Sequence, residues 1–420
     1  MKDEQHRGLI VTVMFFGLMM QNILWFAPAP FLSLIVEDLQ MSMMQGGLMM
    51  SVIGLITAVS GLFLGEFFVR IGIKRTFSVA LLLMALGSFL NLLVQGFVLL
   101  LVSRMIIGIG FGFCLPIAGS VIMTYFHEGE RPYLNTLNSL LPYFATALTF
   151  MLTISLFQWL GSSWRLTLAL PGVFLLLAWW LWERYYVVEQ EVIEVEEKLN
   201  SHILRDILRH REVLLITVAE TCDMWSFQFV TTYLATYFYT EAMLSLSESS
   251  YLMSVFPLAG ILAGFSCGLA MGKWGLRKPF TWPMHLMIFI GTTMALYLTG
   301  FGRLLGVFLS GFGNAGWAPA LFTMPMEFRD MTPQKVGAVY ALMLSCGFLA
   351  AFLSPFLGGY LMDYLSLRTV IFLFALPSLV AALATGLMKE TGKNRKIRIK
   401  KDHREGRHEN KEHGHANDAR

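Results

Sequence analysis

Three ionisable side chains interrupt otherwise uncharged apolar runs. Arg104 separates 76–103 from 105–127, and Glu220 and Asp223 fall within 213–240. Burying a charge in hydrocarbon costs several kcal/mol unless it finds a partner. Glu220 and Asp223 are three residues apart, so a helix would carry both on one face. A carboxylate can change its protonation state as water and partners come and go, whereas an arginine keeps its charge. The chemistry expected is proton carriage by Asp223 or Glu220, with Arg104 as their partner or as an anchor for an anion. Two plainer readings compete with it: a fixed ion pair that sets helix packing, and a Glu220 near enough to one face to be hydrated.

The elements that must position these groups are membrane spans. Uncharged stretches recur at 8–36, 39–65, 76–103, 105–127, 132–164, 166–182, 249–272, 279–302, 304–326, 336–362 and 369–388. With 213–240 they make twelve, each near or above the roughly 20 residues that cross hydrocarbon. The short one, 166–182, reaches Tyr186 if Glu183 and Arg184 snorkel. Of the 420 residues, 56% are hydrophobic and 14% charged. A soluble chain carries about 25% charged residues, so this one lacks the surface charge that water requires. The fold class expected is all-α and integral to the membrane. Cys114, Cys222, Cys267 and Cys346 all fall within spans and read as small apolar fillers. The first apolar run is too long for a signal-peptide core and continues into a second span.

Counting basic residues orients the chain. With the N-terminus in the cytoplasm, the inner segments hold 27 of the 31 lysines and arginines. The outer loops hold only Arg165, Arg303 and Arg368, so both termini are expected inside. The small positive net charge reflects this bias and implies no nucleic acid.

A repeat runs through the chain. Gly65-x-x-x-x-Arg70-x-Gly72-x-Lys74-Arg75 returns as Gly268-x-x-x-x-Lys273-x-Gly275-x-Arg277-Lys278 at an offset of 203. The same offset carries Gly108, Gly110 and Pro116 onto Gly311, Gly313 and Pro319. A repeated membrane half is the architecture of a two-lobed transporter, with its site between the lobes. The expected divisions are a six-helix lobe at 1–186, a cytoplasmic connector at 187–212, a second six-helix lobe at 213–388 and a disordered basic tail at 389–420. Acidic residues open the connector, basic ones close it, and Leu199, Ile203 and Ile207 give it one apolar stripe, as suits a helix on the membrane surface. His403, His408, His413 and His415 in the tail could bind a metal weakly. A solvated tail is the preferred reading, and no metal or cofactor is expected. The glycines of the fourth and tenth spans let helices approach; without a preceding strand or a Gly-Lys-Ser/Thr they are no nucleotide loop.

The 65–75 segment resembles the loop between the second and third spans of the major facilitator superfamily. Arg104-x-x-x-Gly108-x-Gly110, Ser163-Trp164-Arg165 and Pro355-x-x-Gly358-Gly359 are also similar to that family's patterns. The resemblance covers 8–388 and implies two pseudo-symmetric six-helix lobes with spans 1, 4, 7 and 10 lining a cavity. On those spans it points to Gln21, Asn22 and Trp25, to Trp225 and Gln228, and to Asn314, with Tyr143 of span 5 a weaker candidate. The family's acidic loop residue is missing: Val69 and Gly272 stand in its place. Glu66, one turn before Arg70, is expected to substitute, the two forming a latch between the lobes.

The expected function is secondary active transport, not catalysis: a small polar or anionic solute taken up through the cytoplasmic (inner) membrane as a proton symport. The texture is loosely similar to general anion and cyanate-type permeases. Span 5 reads Leu140-Leu141-Pro142-Tyr143-Phe144-Ala145, without the glycines of the family's drug antiporters, which favours uptake over efflux. Proton-driven efflux of a lipophilic or cationic compound is the alternative. A receptor or assembly factor on the same scaffold is a third. The partners expected are the solute, protons and the bilayer, with the chain a monomer.

Overall fold

The computed structural model describes residues 2–114, 117–127, 129–186 and 201–392. Of these, the side chains of 2–6, 61–70, 132, 201, 202, 204 and 333 are not among the described groups. The proposed Glu66–Arg70 latch, the acidic half of the connector and the tail from 393 therefore lie outside what is described.

Helices account for every span. The first runs Lys2–Phe26, breaks, and resumes as Leu32–Asp38. The break holds Pro28 and Pro30, whose missing N–H groups end the helical ladder. Spans 2 and 3 form one element, Met43–Leu90, interrupted at Gly72. Span 4 is Phe97–Cys114 followed by Ile117–Tyr125, span 5 Arg131–Trp159 and span 6 Trp164–Tyr185. In the second half the spans are Arg211–Thr240, Leu246–Trp274, Trp282–Tyr297, Gly300–Gly316 with two short turns to Glu327, Pro333–Leu361, and Leu367–Ala375 with Pro377–Leu387. Eleven helices among the described residues are long and apolar enough to cross a membrane. The twelfth, Trp282–Tyr297, has 16 residues, about 24 Å against a hydrocarbon thickness of about 30 Å. It falls short of the stretch 279–302 because a 3₁₀ turn precedes it and Leu298 is extended.

The repeat is built into the geometry. Gly72 and Gly275 both take positive φ, 79° and 63°, where a side chain would be strained. Gln40 and Met243, again 203 apart, both turn left-handed with φ of 50° and 57°. Spans 2 and 8 then open on matching capping boxes, Ser42 with Gln45 and Ser245 with Glu248, each satisfying two free N–H groups reciprocally. A methyl group at Gly108 would meet span 2 at the Ile53 carbonyl, and one at Gly311 would meet span 8 at the Phe256 carbonyl, the position 203 later. Gly110 and Gly313 face spans 3 and 9 in the same manner.

Three apolar clusters give the bundle its shape. One end carries the start of the chain and most of the lysines and arginines, and is called here the basic end. At the opposite end a single cluster joins both lobes, with Phe31, Met49, Phe150 and Phe157 packed among Phe229, Tyr233, Phe256 and Phe374. At the basic end each lobe has its own cluster, one around Met14, Phe77, Phe111 and Trp182, the other around Val213, Trp317, Phe328 and Met343. Hydrogen bonds between described residues of the two lobes follow the same division. Ser250 donates to the Phe150 carbonyl at 2.6 Å, Tyr233 to the Met43 carbonyl at 3.3 Å, and Ser155 meets Tyr251 at 3.1 Å. These three and Gln158 to Ser247, at 3.4 Å, lie toward the opposite end; one more inter-lobe bond, Tyr143 to Asn314, lies at mid-depth. Among the described residues the lobes are therefore zipped there, while toward the basic end each has its own cluster, Phe227 and Phe348 of the second lobe packing against that of the first.

The basic loops are anchored within their own lobes. Lys74 pairs with Glu183 at 3.4 Å, and Ser78 also donates to that carboxylate. Glu183 is thus held by a loop, where sequence suggested that it merely snorkels. At the matching position Arg277 forks onto Glu327 at 3.1 and 2.7 Å. Glu390, just past the last span, accepts from the backbone N–H groups of Arg277 and Lys278 at 2.8 and 3.1 Å. Of the connector, Ser201–Leu208 is helical, buries Ile207 against the second lobe and pairs Asp206 with Lys335 at 3.3 Å.

Candidate functional site

At mid-depth, on the boundary between the lobes, four side chains form a line. Tyr143 of span 5 donates its hydroxyl to Asn314 Oδ1 of span 10 at 3.4 Å. Asn314 Nδ2 donates to Asp223 Oδ2 of span 7 at 3.1 Å. Asp223 Oδ1 lies 3.8 Å from His285 Nδ1 of span 9. That separation is beyond a hydrogen bond. Asp223, Asn314 and His285 are 2%, 3% and 0% exposed, so the second-lobe part of the line is sealed inside protein, while Tyr143 is half-buried.

Local sequence explains how each member arrives. Span 7 is an unbroken helix from Arg211 to Thr240, which keeps Glu220 and Asp223 one turn apart and both buried. Gly260 of span 8 leaves room for the tyrosine: a methyl there would sit 2.7 Å from the Tyr143 ring. Gly347 of span 11 packs on the same stretch of span 7, where a methyl would meet Met224 at 3.0 Å and touch Glu220 at 3.6 Å. The His285 ring packs on Trp317, centroids 4.4 Å apart.

Several buried polar atoms have no partner among the described groups: Glu220 Oε2, Asp223 Oδ1 and both ring nitrogens of His285. Gln21 Oε1 and the indole nitrogens of Trp25 and Trp225 join them. Buried polar atoms are usually bonded, so these unpartnered atoms single the region out as the candidate site. The site can hold and release a proton, and it presents both donors and acceptors to a solute.

The sequence-predicted residues divide into two groups. Asp223, Asn314 and Tyr143 are brought together, with Glu220 one turn away. Gln21 and Trp25 share a face of span 1 near Phe111; Gln21 Nε2 donates to its carbonyl at 3.5 Å and Trp25 meets its ring edge-on at 4.9 Å. Asn22 bonds the Leu18 carbonyl of its own helix, and Gln228 reaches Thr232 of its own helix. Trp225 stacks on Phe374 of span 12 with centroids 5.2 Å apart.

Arg104 requires a correction. It does not meet Glu220 or Asp223. Its Nη1 and Nη2 donate to the carbonyls of Leu24 and Trp25, both at 2.7 Å, and Nε to Met49 at 3.4 Å. The guanidinium closes the break in span 1, because Pro28 cannot supply the N–H that Leu24 would receive in a continuous helix. The repeat supports this role. At the offset of 203, Pro28 becomes Thr231, span 7 stays continuous, and the arginine position is Val307. Where no carbonyl is freed, no arginine is needed.

His285 is the residue that sequence reasoning passed over. The stretch 279–302 reads as uncharged only while histidine is counted neutral, and an intramembrane histidine belongs with the ionisable groups. A surface cleft of about 540 Å³ at the opposite end, lined by Ser33, Glu37, Thr236 and Glu241, shares no residue with the central line.

Twelve helices in two repeated lobes, a buried polar line between them and one unzipped end define a membrane transporter. A family model described as the Major Facilitator Superfamily matches residues 14–330, and the chain belongs to that family. Similar solved structures include a bacterial homolog of the human lysosomal transporter Spinster in its inward-facing, unoccupied conformation. The TM-score is 0.76 at 13% identity, over 90% of this chain and 96% of that one. The inward-facing, occupied conformation of the same homolog aligns with a TM-score of 0.77 at 13% identity, covering 91% and 96%. No curated protein matches the sequence.

Proposed function

We propose that this chain is a proton-coupled secondary transporter that moves a small polar solute by alternating access, with Asp223 as the proton carrier. The observation that carries the reading is the buried Asp223, bonded through Asn314 to a tyrosine of the other lobe and faced by His285. A carboxylate in that position costs more to bury charged than neutral, so its proton can be tied to access by water. The bias of lysine and arginine supports a cytoplasmic basic end, both termini inside and an inner-membrane location. On that orientation the separately packed end faces the cytoplasm and the conformation is inward-open.

Engagement of Arg104 by backbone carbonyls removes the cation on which the anionic alternative rested. A neutral or cationic polar solute is better supported, and direction follows from the gradient used. Efflux of a cationic compound stays as the second reading, favoured by the acidic pair and histidine with no arginine or lysine bonded to them among the described residues. The test is reconstitution in liposomes with an imposed pH gradient, screening labelled amino acids, amines, organic acids and cationic dyes. Gradient-driven movement of one class, abolished in Asp223→Asn, supports the reading. Movement that ignores the gradient and survives Asp223→Asn overturns it.

A further inference from the structure

We infer that Asn314 is a positioning residue that converts the charge on Asp223 into the strength of the bond between the lobes; this rests on the proton-coupled reading above. A carboxamide is two-ended, with donors only on nitrogen and acceptors only on oxygen. Ionised Asp223 has acceptors alone. It therefore draws Asn314 Nδ2 toward Oδ2, at 3.1 Å, and leaves Oδ1 of the amide to accept from the Tyr143 hydroxyl, at 3.4 Å. That last bond crosses from the second lobe to the first.

When Asp223 takes up a proton on Oδ2, the oxygen bonded to Asn314, that oxygen becomes an O–H donor and the amide can offer it Oδ1 as acceptor. The amide then turns, its Nδ2 faces the tyrosine oxygen, and the phenolic hydrogen loses its acceptor on Asn314. The bond between the lobes is weaker in the protonated state, so protonation loosens the zipped arrangement and deprotonation restores it. Only one proton is gained or lost, and it comes from or returns to water.

The groups surrounding Asp223 are compatible with this. Glu220 lies one turn away on the same helix, and His285 Nδ1 faces the other carboxylate oxygen at 3.8 Å from span 9. Span 10 supplies Asn314 itself, with Trp317 against the histidine. Span 5 supplies Tyr143, while spans 8 and 11 present Gly260 and Gly347, which carry no charge. Arg104 is turned away toward span 1. Asn314 is the single link between this cluster and the Tyr143 hydroxyl among the described groups.

The experiment measures distances between the lobes by double electron–electron resonance on the full chain in nanodiscs, with no solute needed. Spin labels go on Tyr133→Cys and Leu269→Cys, both exposed near the basic end, after replacement of the four native cysteines. The parent should change its distance distribution between acidic and alkaline buffer. Asn314→Leu and the milder Tyr143→Phe should each lose more than half of that response, and the double variant no more than either alone. A full response in the well-folded Tyr143→Phe variant, or losses that add in the double variant, overturns the role of Asn314 while leaving proton coupling intact. If the parent shows no response, or Asp223→Asn retains it, the proton-coupled reading fails and this inference with it.

Discussion

Arg104 donates at 2.7 Å to the carbonyl of Leu24, the acceptor whose helical donor is missing because position 28 is proline. The two residues are 80 apart in sequence and join span 4 to the broken middle of span 1. A polar backbone at membrane depth is tolerated only when its groups are satisfied from elsewhere in the protein. The arginine thus belongs to the architecture of the first lobe, and the acidic centre belongs to the second.

Arg104→Gln should therefore act on stability before it acts on transport. It leaves at least one buried carbonyl without a donor, at a cost of about 1–3 kcal/mol each. The expected result is a lower Tm in detergent and reduced yield. A variant with the parent Tm that has lost only solute binding would restore Arg104 as a ligand.

Pro28→Ala supplies a backbone N–H where Leu24 lacks one. The penalty of Arg104→Gln should shrink by about 1 kcal/mol in that background, a coupling that a thermal-melt double-mutant cycle resolves. Additive losses would show that the arginine and the break act independently.

Gly260→Ala places a methyl group 2.7 Å from Cδ1 and 2.8 Å from Cε1 of Tyr143. Span 8 must then move from span 5, so the zipped conformation should be disfavoured and transport slowed at least several-fold. Trimming the ring in Gly260→Ala/Tyr143→Leu should restore the lobe-to-lobe distances, measured with the same spin labels. No change in the single variant would mean that this contact is not close in the working protein.

Gly72 and Gly275 hold φ values of 79° and 63°. Such angles strain any side chain, so Gly72→Ala and Gly275→Ala should each destabilise by about 1 kcal/mol or more. Gly272, in the same stretch, is helical with open space around it. Gly272→Ala should be neutral or stabilising by up to about 1 kcal/mol. Melting curves of the three variants check the contrast. Equal shifts would remove the conformational reason for the repeated glycine.

The twelve spans, the two-lobed repeat and the basic bias are visible in sequence because they follow from local quantities: apolar length, glycine placement and charge counts. Glu220 and Asp223 stand out for the same reason, being costly wherever they lie in the membrane. The partnership of Asp223 with Asn314, Tyr143 and His285 is of another kind. It joins spans 5, 7, 9 and 10, and no local pattern says which helix faces which, or how deep a group sits across the gap.

Arg104 shows the same division most sharply. Its cost of burial was determined by its type and by the apolar run around it. Whether that cost was met by an acid, an anion or a broken backbone depended on the packing of span 4 against spans 1 and 2. Pro28, which frees the Leu24 carbonyl, and Pro30, which follows it in the break, are plain in the chain but lie three spans before the arginine. Only the tertiary structure brings the freed carbonyls within hydrogen-bond reach, because directional bonds over a few ångströms are decided by how helices pack and not by what each one contains.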